Sequence, residues 1–157
     1  MEMVIDSRRP SDETGSTATE LEAFLAAVLP RQMIAEEAIH NGDVEPRLAM
    51  WSREDPVTLF GAAGPNKSGW DEVEPIFHWV ASLFSNCRDY SFELVAAGVS
   101  GDLGYTVGYE RSIISVNGGP SQSNILRATH VYRRENGEWK IVHRHGDHPP
   151  VDQSQAA

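Results

Sequence analysis

The second half of the chain alternates strand-like runs with turn signals, and this alternation limits the possible folds more than any other feature. Four such runs cover residues 90–99, 103–116, 122–134 and 138–146. The last two are separated by Asn136-Gly137, a pair that readily adopts the positive φ angles of a two-residue hairpin turn. The sequence therefore predicts four strands joined by tight turns in an antiparallel meander.

Helical periodicity precedes these strands. Apolar residues recur every three or four positions from Thr19, Pro30 is expected to kink this helix or to start a second one, and Asn41-Gly42 ends the pattern. Asp43 is placed to cap a further short helix. A second strong helical pattern opens at Ser68–Asp71, whose spacing is that of a capping box.

One more strand is predicted at residues 57–60, between the helical segments. Helices followed by a sheet are the order of an α+β domain, with the helices laid on one face of the sheet. We expect a single domain over residues 19–148, a flexible leader over 1–18 and a tail over 149–157.

Composition excludes several classes of function. The 157 residues include 13 Lys and Arg against 23 Asp and Glu, a net charge of −10, which disfavours nucleic acid as a partner. A single cysteine, Cys87, cannot form an internal disulfide, and no apolar run is long enough to span a membrane. We therefore expect a cytoplasmic protein. Residues 111–157 carry six basic and four acidic side chains, so an anionic small ligand stays possible.

Several segments carry a resemblance to a known family: Asn41-Gly42-Asp43, Trp51 to Phe60, Gly69 to Val73, and the final hairpin, residues 127–133 and 136–145. Over roughly residues 19–148 the chain resembles the SnoaL-like, ketosteroid-isomerase-like family of the nuclear-transport-factor-like superfamily. The resemblance implies a cone-shaped α+β fold, in which N-terminal helices pack on a strongly curved antiparallel sheet with a mixed edge and enclose a pocket. It also implies a homodimer formed through the outer face of the sheet.

The catalytic residues of the ketosteroid isomerases are not found at the matching positions. Their base aspartate would fall at Phe60 or Gly61, and their phenol donor at Ala35. Their second acid would fall at Thr129 or His130. The resemblance therefore does not imply ketosteroid isomerisation by that mechanism.

Strand alternation predicts which side chains face the pocket. Because Trp139 is expected in the core, His143 and His145 should share its inward face. On the neighbouring strand, an inward Thr129 would bring Arg127 inward as well.

Glu110 on the strand 103–116 is expected to meet Arg127 and His145 in the pocket. Glu110 and His145 are the candidate catalytic acid and base, since a carboxylate and an imidazole can exchange protons near neutral pH. Arg127 would bind a carboxylate or stabilise an enolate. The alternative is that Glu110 and Arg127 form a structural ion pair between two strands.

The remaining binding candidates are one aromatic pair and three polar side chains. Trp51 and Phe60 could form apolar walls of the pocket. Thr129, His130 and His143 are expected to contact the ligand beside them.

Three hypotheses of function follow. The first is a protein that binds a small, partly apolar and possibly anionic molecule and catalyses proton transfer on it, and the second is a non-catalytic ligand-binding or dimerisation module. The third is a metal-dependent hydrolase, because residues 143–148 spell H-x-H-x-D-H. His143 and His145 would share the metal, with Asp147, Glu110 or His130 completing the site. The first two hypotheses require no metal and no cofactor.

Overall fold

The computed structural model describes residues 11–151, with side chains from residue 19 onward. The predicted α+β order is confirmed, because three helices and two short strands precede four long strands. The helices are α1 (Ser11–Ile39), α2 (Glu45–Met50) and α3 (Trp70–Leu83). The strands are β1 (Thr58–Phe60), β2 (Asn66–Ser68), β3 (Phe84–Ser100), β4 (Leu103–Val116), β5 (Gln122–Glu135) and β6 (Glu138–Asp147).

The first helix is continuous through Pro30, so the structure contains one helix where the sequence left open a second. Pro30 is exposed, and water can therefore satisfy the backbone carbonyl that a proline leaves without its donor. Residues 11–18 of the predicted leader belong to α1. Residues 1–10 and 152–157 lie outside the described part of the chain, so the leader and tail stay predictions.

The six strands form one sheet in the order β2-β1-β6-β5-β4-β3. Neighbouring strands are antiparallel except β1 and β6, which run parallel, so the predicted mixed edge is confirmed. Asn136 and Gly137 have φ angles of 51° and 78° and form the predicted turn. The strand β2 was not predicted, since Asn66-Lys67-Ser68 has no apolar residue and pairs only through its backbone.

Register shifts interrupt two of the strands. Strand β3 begins six residues earlier than predicted and is irregular at three points along its pairing with β4. In β6, His143 pairs with Val131 and Ile141 pairs with Tyr132, which leaves Val142 as an extra residue. Such bulges bend a strand and change the face to which the following side chains point.

The apolar core lies between the helices and one face of this sheet. Its largest fully buried aromatic side chains are Phe24, Trp51, Phe77 and Tyr132. Among the described residues, no helix is long and apolar enough to cross a membrane.

The helix α3 begins without the predicted capping box. The capping position is Gly69, with a φ of 91° and no side chain, and not the predicted Ser68. Instead the backbone N–H of Trp70 donates to Oδ1 of Asp55 at 2.9 Å. A residue distant in sequence thus supplies the acceptor that the local pattern assigned to Ser68.

Candidate functional site

A cavity of about 260 Å³ lies between the helices and the sheet. Most of its walls are apolar side chains and the turn between β1 and β2. The apolar walls include Leu59, Ile76, Val80, Leu83, Ile114 and Leu126. His40, Arg47 and Arg144 supply buried polar side chains to the same cavity, which also reaches Gln122, Asn124 and His148. A mainly apolar cavity with a few buried polar groups is the usual form of a small-molecule site.

Two buried arginines are held by two buried glutamates beside this cavity. Arg47 on α2 donates from Nη2 to Oε2 of Glu36 on α1. Arg144 on β6 places Nη1 2.6 Å from Oε1 of Glu110 on β4 and 3.3 Å from Oε2 of Glu36. All four side chains are at most 5% exposed, so their charges interact in surroundings that screen them weakly.

Two further groups fix the orientation of this cluster. The hydroxyl of Tyr90 donates to Oε2 of Glu110 at 2.6 Å. Nη1 of Arg144 lies 3.0 Å from Nε2 of His130, and because a guanidinium only donates, that nitrogen accepts. Arg144 therefore contacts three buried groups through a single nitrogen atom, and each contact restricts its position.

The charges in the cluster balance. Burial alone would raise the pKa of Glu36, but the charges of Arg144 and Arg47 outweigh it and hold that pKa well below its usual range. Burial lowers the pKa of His130, which favours a neutral imidazole at neutral pH. The two guanidinium charges and the two carboxylate charges then cancel formally.

His40 brings an imidazole to the cavity wall directly after the end of α1. Its Nδ1 lies 2.6 Å from the backbone carbonyl oxygen of Glu36, one helical turn earlier. Burial lowers the pKa of His40, although the nearby carboxylate of Glu110 acts in the opposite direction. The cavity is therefore lined by a neutral imidazole as well as by two guanidiniums.

The predicted convergence of Glu110, Arg127 and His145 does not occur. Glu110 is buried and faces inward as expected. Arg127 pairs with Tyr109 across the strands, whereas Glu110 pairs with Leu126. The side chain of Arg127 forms an ion pair with Asp147, Nε to Oδ1, at 2.7 Å. The side chain of His145 is 50% exposed.

These two errors have separate physical causes. On β5 the buried residues are Leu126, Ala128, His130 and Tyr132, so the outward face carries Arg127 and Thr129. Thr129 and Val131 were predicted to be the apolar, inward-facing residues of this strand, and that prediction placed Arg127 on the wrong face. On β6 the extra residue Val142 reverses the alternation, so that Arg144 points inward and both His143 and His145 point outward.

Other predicted contacts lie outside the cavity lining. Trp51 is buried in the core, with its ring centre 4.8 Å from that of Phe77. Phe60 is 43% exposed and packs on the rings of His143 and His145, at 5.5 and 5.6 Å. His130 is buried next to Arg144, as described above, and does not itself line the cavity.

The metal-site pattern does not assemble into a ligand set. Across residues 19–151, no group of three or more His, Cys, Asp or Glu side chains is arranged to hold a metal ion. Nδ1 of His143 instead lies 2.7 Å from the hydroxyl of Thr58.

Sequence reasoning missed Glu36, His40, Arg47 and Arg144. A signal for the first two existed, because Glu36 and His40 are four residues apart on the helical face that also buries Ile39. No comparable signal existed for Arg144, whose orientation depends on the bulge at Val142.

Comparison with known proteins gives the same fold. The sequence profile of the SnoaL-like domain matches residues 33–151, about three quarters of the chain. A search of the curated proteins finds no match.

Solved structures with this fold differ widely in role. A proposed dehydratase of the NTF2-like family from Streptomyces avermitilis is 22% identical, with a TM-score of 0.65 over 83% of this chain and 99% of that one. A ketosteroid isomerase-like protein from Erwinia carotovora atroseptica is 16% identical, with a TM-score of 0.65 over 78% and 94%. The association domain of C. elegans CaMKII is 13% identical, with a TM-score of 0.60 over 82% and 98%.

At these identities the structural likeness shows the fold alone, and function must be argued from the site. The sequence profile covers the cluster residues Glu36, Arg47, Glu110 and Arg144 together with the cavity. The chain belongs to the family of SnoaL-like domains.

Proposed function

We propose that the protein binds a small, mainly apolar molecule in the cavity, with a hydrogen-bond-accepting oxygen of that molecule at Arg47 and Arg144. The observation that carries this proposal is the pair of buried guanidiniums in the wall of a largely apolar cavity of about 260 Å³. Burying two such cations is costly unless they are paired and hydrogen-bonded. Pairing with Glu36 and Glu110 makes the arrangement stable.

The guanidiniums keep donors for a ligand. Every polar contact that Arg144 makes with the described residues uses Nη1, although a guanidinium carries five N–H donors on three nitrogens. Arg47 donates to Glu36 from Nη2 alone. Unsatisfied donors in the wall of a cavity favour a ligand that can accept a hydrogen bond.

The balance of charge favours an uncharged ligand. The charges of Glu36 and Glu110 already offset those of Arg47 and Arg144, so an anionic ligand would add a third negative charge to the cluster. A neutral carbonyl or ether oxygen accepts the available N–H groups without adding a charge to the cluster. Of the charged and uncharged ligands that the sequence left open, we therefore propose an uncharged one.

Ligand-induced stabilisation tests this proposal. We expect 2-tetralone, which pairs an apolar ring system with one carbonyl oxygen, to raise the melting temperature of the protein in a concentration-dependent way. Tetralin, which lacks the oxygen, should stabilise the protein less, and so should tetralin-2-carboxylate, which adds a charge. Equal shifts from all three compounds, or none from 2-tetralone, would contradict the proposal.

A matched pair of variants locates the binding site. Arg144→Lys keeps the charge but removes the planar array of donors, so it should abolish the preference for 2-tetralone over tetralin. Arg134→Lys is the control, because Arg134 is an exposed arginine of β5 that pairs with Asp102. This variant should leave the preference for 2-tetralone intact.

Proton transfer on the bound molecule is the catalytic part of the proposal. Glu110 was the predicted acid or base, but both of its oxygens are already engaged, by Arg144 and by Tyr90. We assign it the role of a positioning residue, which holds Arg144 in place.

A homodimer formed through the outer face of the sheet is proposed as a second property. Leu103 and Tyr105 are exposed on that face of β4, and Val95 is exposed on the neighbouring β3. Exposed apolar side chains grouped in this way are typical of an interaction surface. Light scattering should give twice the chain mass for the native protein and a reduced mass for Leu103→Glu, whereas a native monomer would refute the dimer.

A further inference from the structure

We infer that His40 is the proton acceptor of this site, and that Nε2 of its ring removes a proton from the carbon next to the carbonyl group of an uncharged ligand. The inference rests on the proposed function, since it requires the ligand oxygen to lie at Arg144 and Arg47. His40 is one of the buried polar groups of the cavity wall, and neither the strand alternation nor the family resemblance pointed to it.

The hydrogen-bond partner of His40 determines which ring nitrogen is available. Nδ1 lies 2.6 Å from the carbonyl oxygen of Glu36, which also accepts the backbone N–H of His40 at 3.3 Å. A carbonyl oxygen can only accept, so Nδ1 carries the hydrogen. In a neutral imidazole the other nitrogen, Nε2, then keeps its lone pair and can accept a proton.

The groups around His40 favour a neutral ring before the reaction and can stabilise the positive charge that the ring gains when it accepts a proton. The charged groups around it are Glu36 on α1, Arg47 on α2 and Glu110 on β4, and its ring packs against that of Phe84 at 5.1 Å. Burial and Arg47 lower the pKa of His40, while Glu110 and Glu36 raise it. The two carboxylates can therefore stabilise an imidazolium that forms transiently.

The step balances in atoms and electrons. The C–H bond beside the carbonyl group breaks, its proton goes to Nε2, and its electron pair forms a C=C bond. The π pair of the carbonyl group moves onto the oxygen, where N–H donors of Arg144 and Arg47 stabilise the negative charge. The imidazolium then returns a proton to carbon, and no oxidant, reductant or metal is consumed.

Hydrogen–deuterium exchange measures this step directly. Full-length protein is incubated with 2-tetralone in D₂O at neutral pH, and incorporation of deuterium beside the carbonyl group is followed by NMR. We expect the protein to accelerate exchange over buffer, and His40→Gln, which can still donate to the Glu36 carbonyl, to lower the catalysed rate at least about 100-fold. The matched control His78→Gln alters an exposed histidine of α3 and should leave the rate unchanged.

The outcomes separate the two proposals. Exchange that persists in His40→Gln overturns the role of His40. A wild-type protein that binds 2-tetralone without accelerating exchange overturns it as well. The proposed binding function survives both results. Absence of 2-tetralone binding overturns the binding function itself, and the role of His40 with it. Nitrogen-15 NMR of the ligand-free protein gives an independent check, because a hydrogen found on Nε2 at neutral pH overturns the inference even if the variant does not fold.

Discussion

Replacement of Arg144 by methionine tests the buried cluster on which the site is built. Arg144→Met removes the cation shared by Glu110 and Glu36 but keeps a side chain of similar length. Removing one partner of a buried ion pair typically costs about 3 to 5 kcal/mol, because the other charge stays buried without compensation.

The contacts that survive place the expected cost near the lower end of that range. Glu36 keeps Arg47, and Glu110 keeps the hydroxyl of Tyr90, so neither carboxylate loses every partner. We therefore expect Arg144→Met to lower the free energy of unfolding by about 3 kcal/mol. Urea denaturation at pH 7 measures this change as a shift of the midpoint at constant slope.

A surface ion pair provides the control. Arg111 donates to Glu93 at 2.7 Å, but both side chains are more than a third exposed, so Arg111→Met should cost no more than about 1 kcal/mol. The double variant Glu110→Gln/Arg144→Met should be less destabilised than the sum of its single variants, because it leaves one fewer buried charge. Equal costs for Arg144→Met and Arg111→Met would refute the account of the cluster.

Three further predictions concern pH, a glycine and a buried hydroxyl. Burial lowers the pKa of His40 and His130, so as the pH falls the unfolded chain binds protons at these residues before the folded protein does. The free energy of unfolding should therefore decrease below about pH 6.5, by up to about 1.4 kcal/mol per pH unit for each histidine. Urea denaturation that gives the same free energy of unfolding down to pH 5 would contradict this. Gly108→Ala should destabilise the fold by at least about 1 to 3 kcal/mol, since its Cβ would lie 2.2 Å from a backbone oxygen of β3, and an unchanged melting temperature would show that the strands can separate there. Tyr132→Phe should cost about 1 kcal/mol through loss of its 2.6 Å hydrogen bond to Gln32, and a stabilising effect in urea denaturation would argue against that bond.

The fold could be predicted from the sequence because its signals are local. Strand β4 has the predicted bounds, and the turn at Asn136-Gly137 requires only two residues with positive φ. Strand β2 could not be predicted, because Asn66-Lys67-Ser68 becomes a strand only when β1 offers a backbone to pair with.

The site was predicted less well because part of it depends on a feature that is not local, the bulge in β6. Glu110 was correctly predicted to face inward, since β4 alternates regularly from Gly104 to Ile114, although it does not line the cavity. The bulge at Val142 exchanges the faces of Arg144 and His145, and nothing in the residues around it marks the extra position. The inserted residue moved His143 and His145 out of the predicted pocket, and the separate misassignment of β5 did the same for Arg127 and Thr129.

A structure of the protein with bound 2-tetralone would show whether the two buried arginines hold the oxygen of a ligand. We expect the rings to lie between the apolar walls that include Ile76 and Leu126, and the carbonyl oxygen to lie within hydrogen-bond distance of a guanidinium nitrogen of Arg144 or Arg47. A ligand bound elsewhere on the molecule, or one inside the cavity with its oxygen turned away from both arginines, would contradict it.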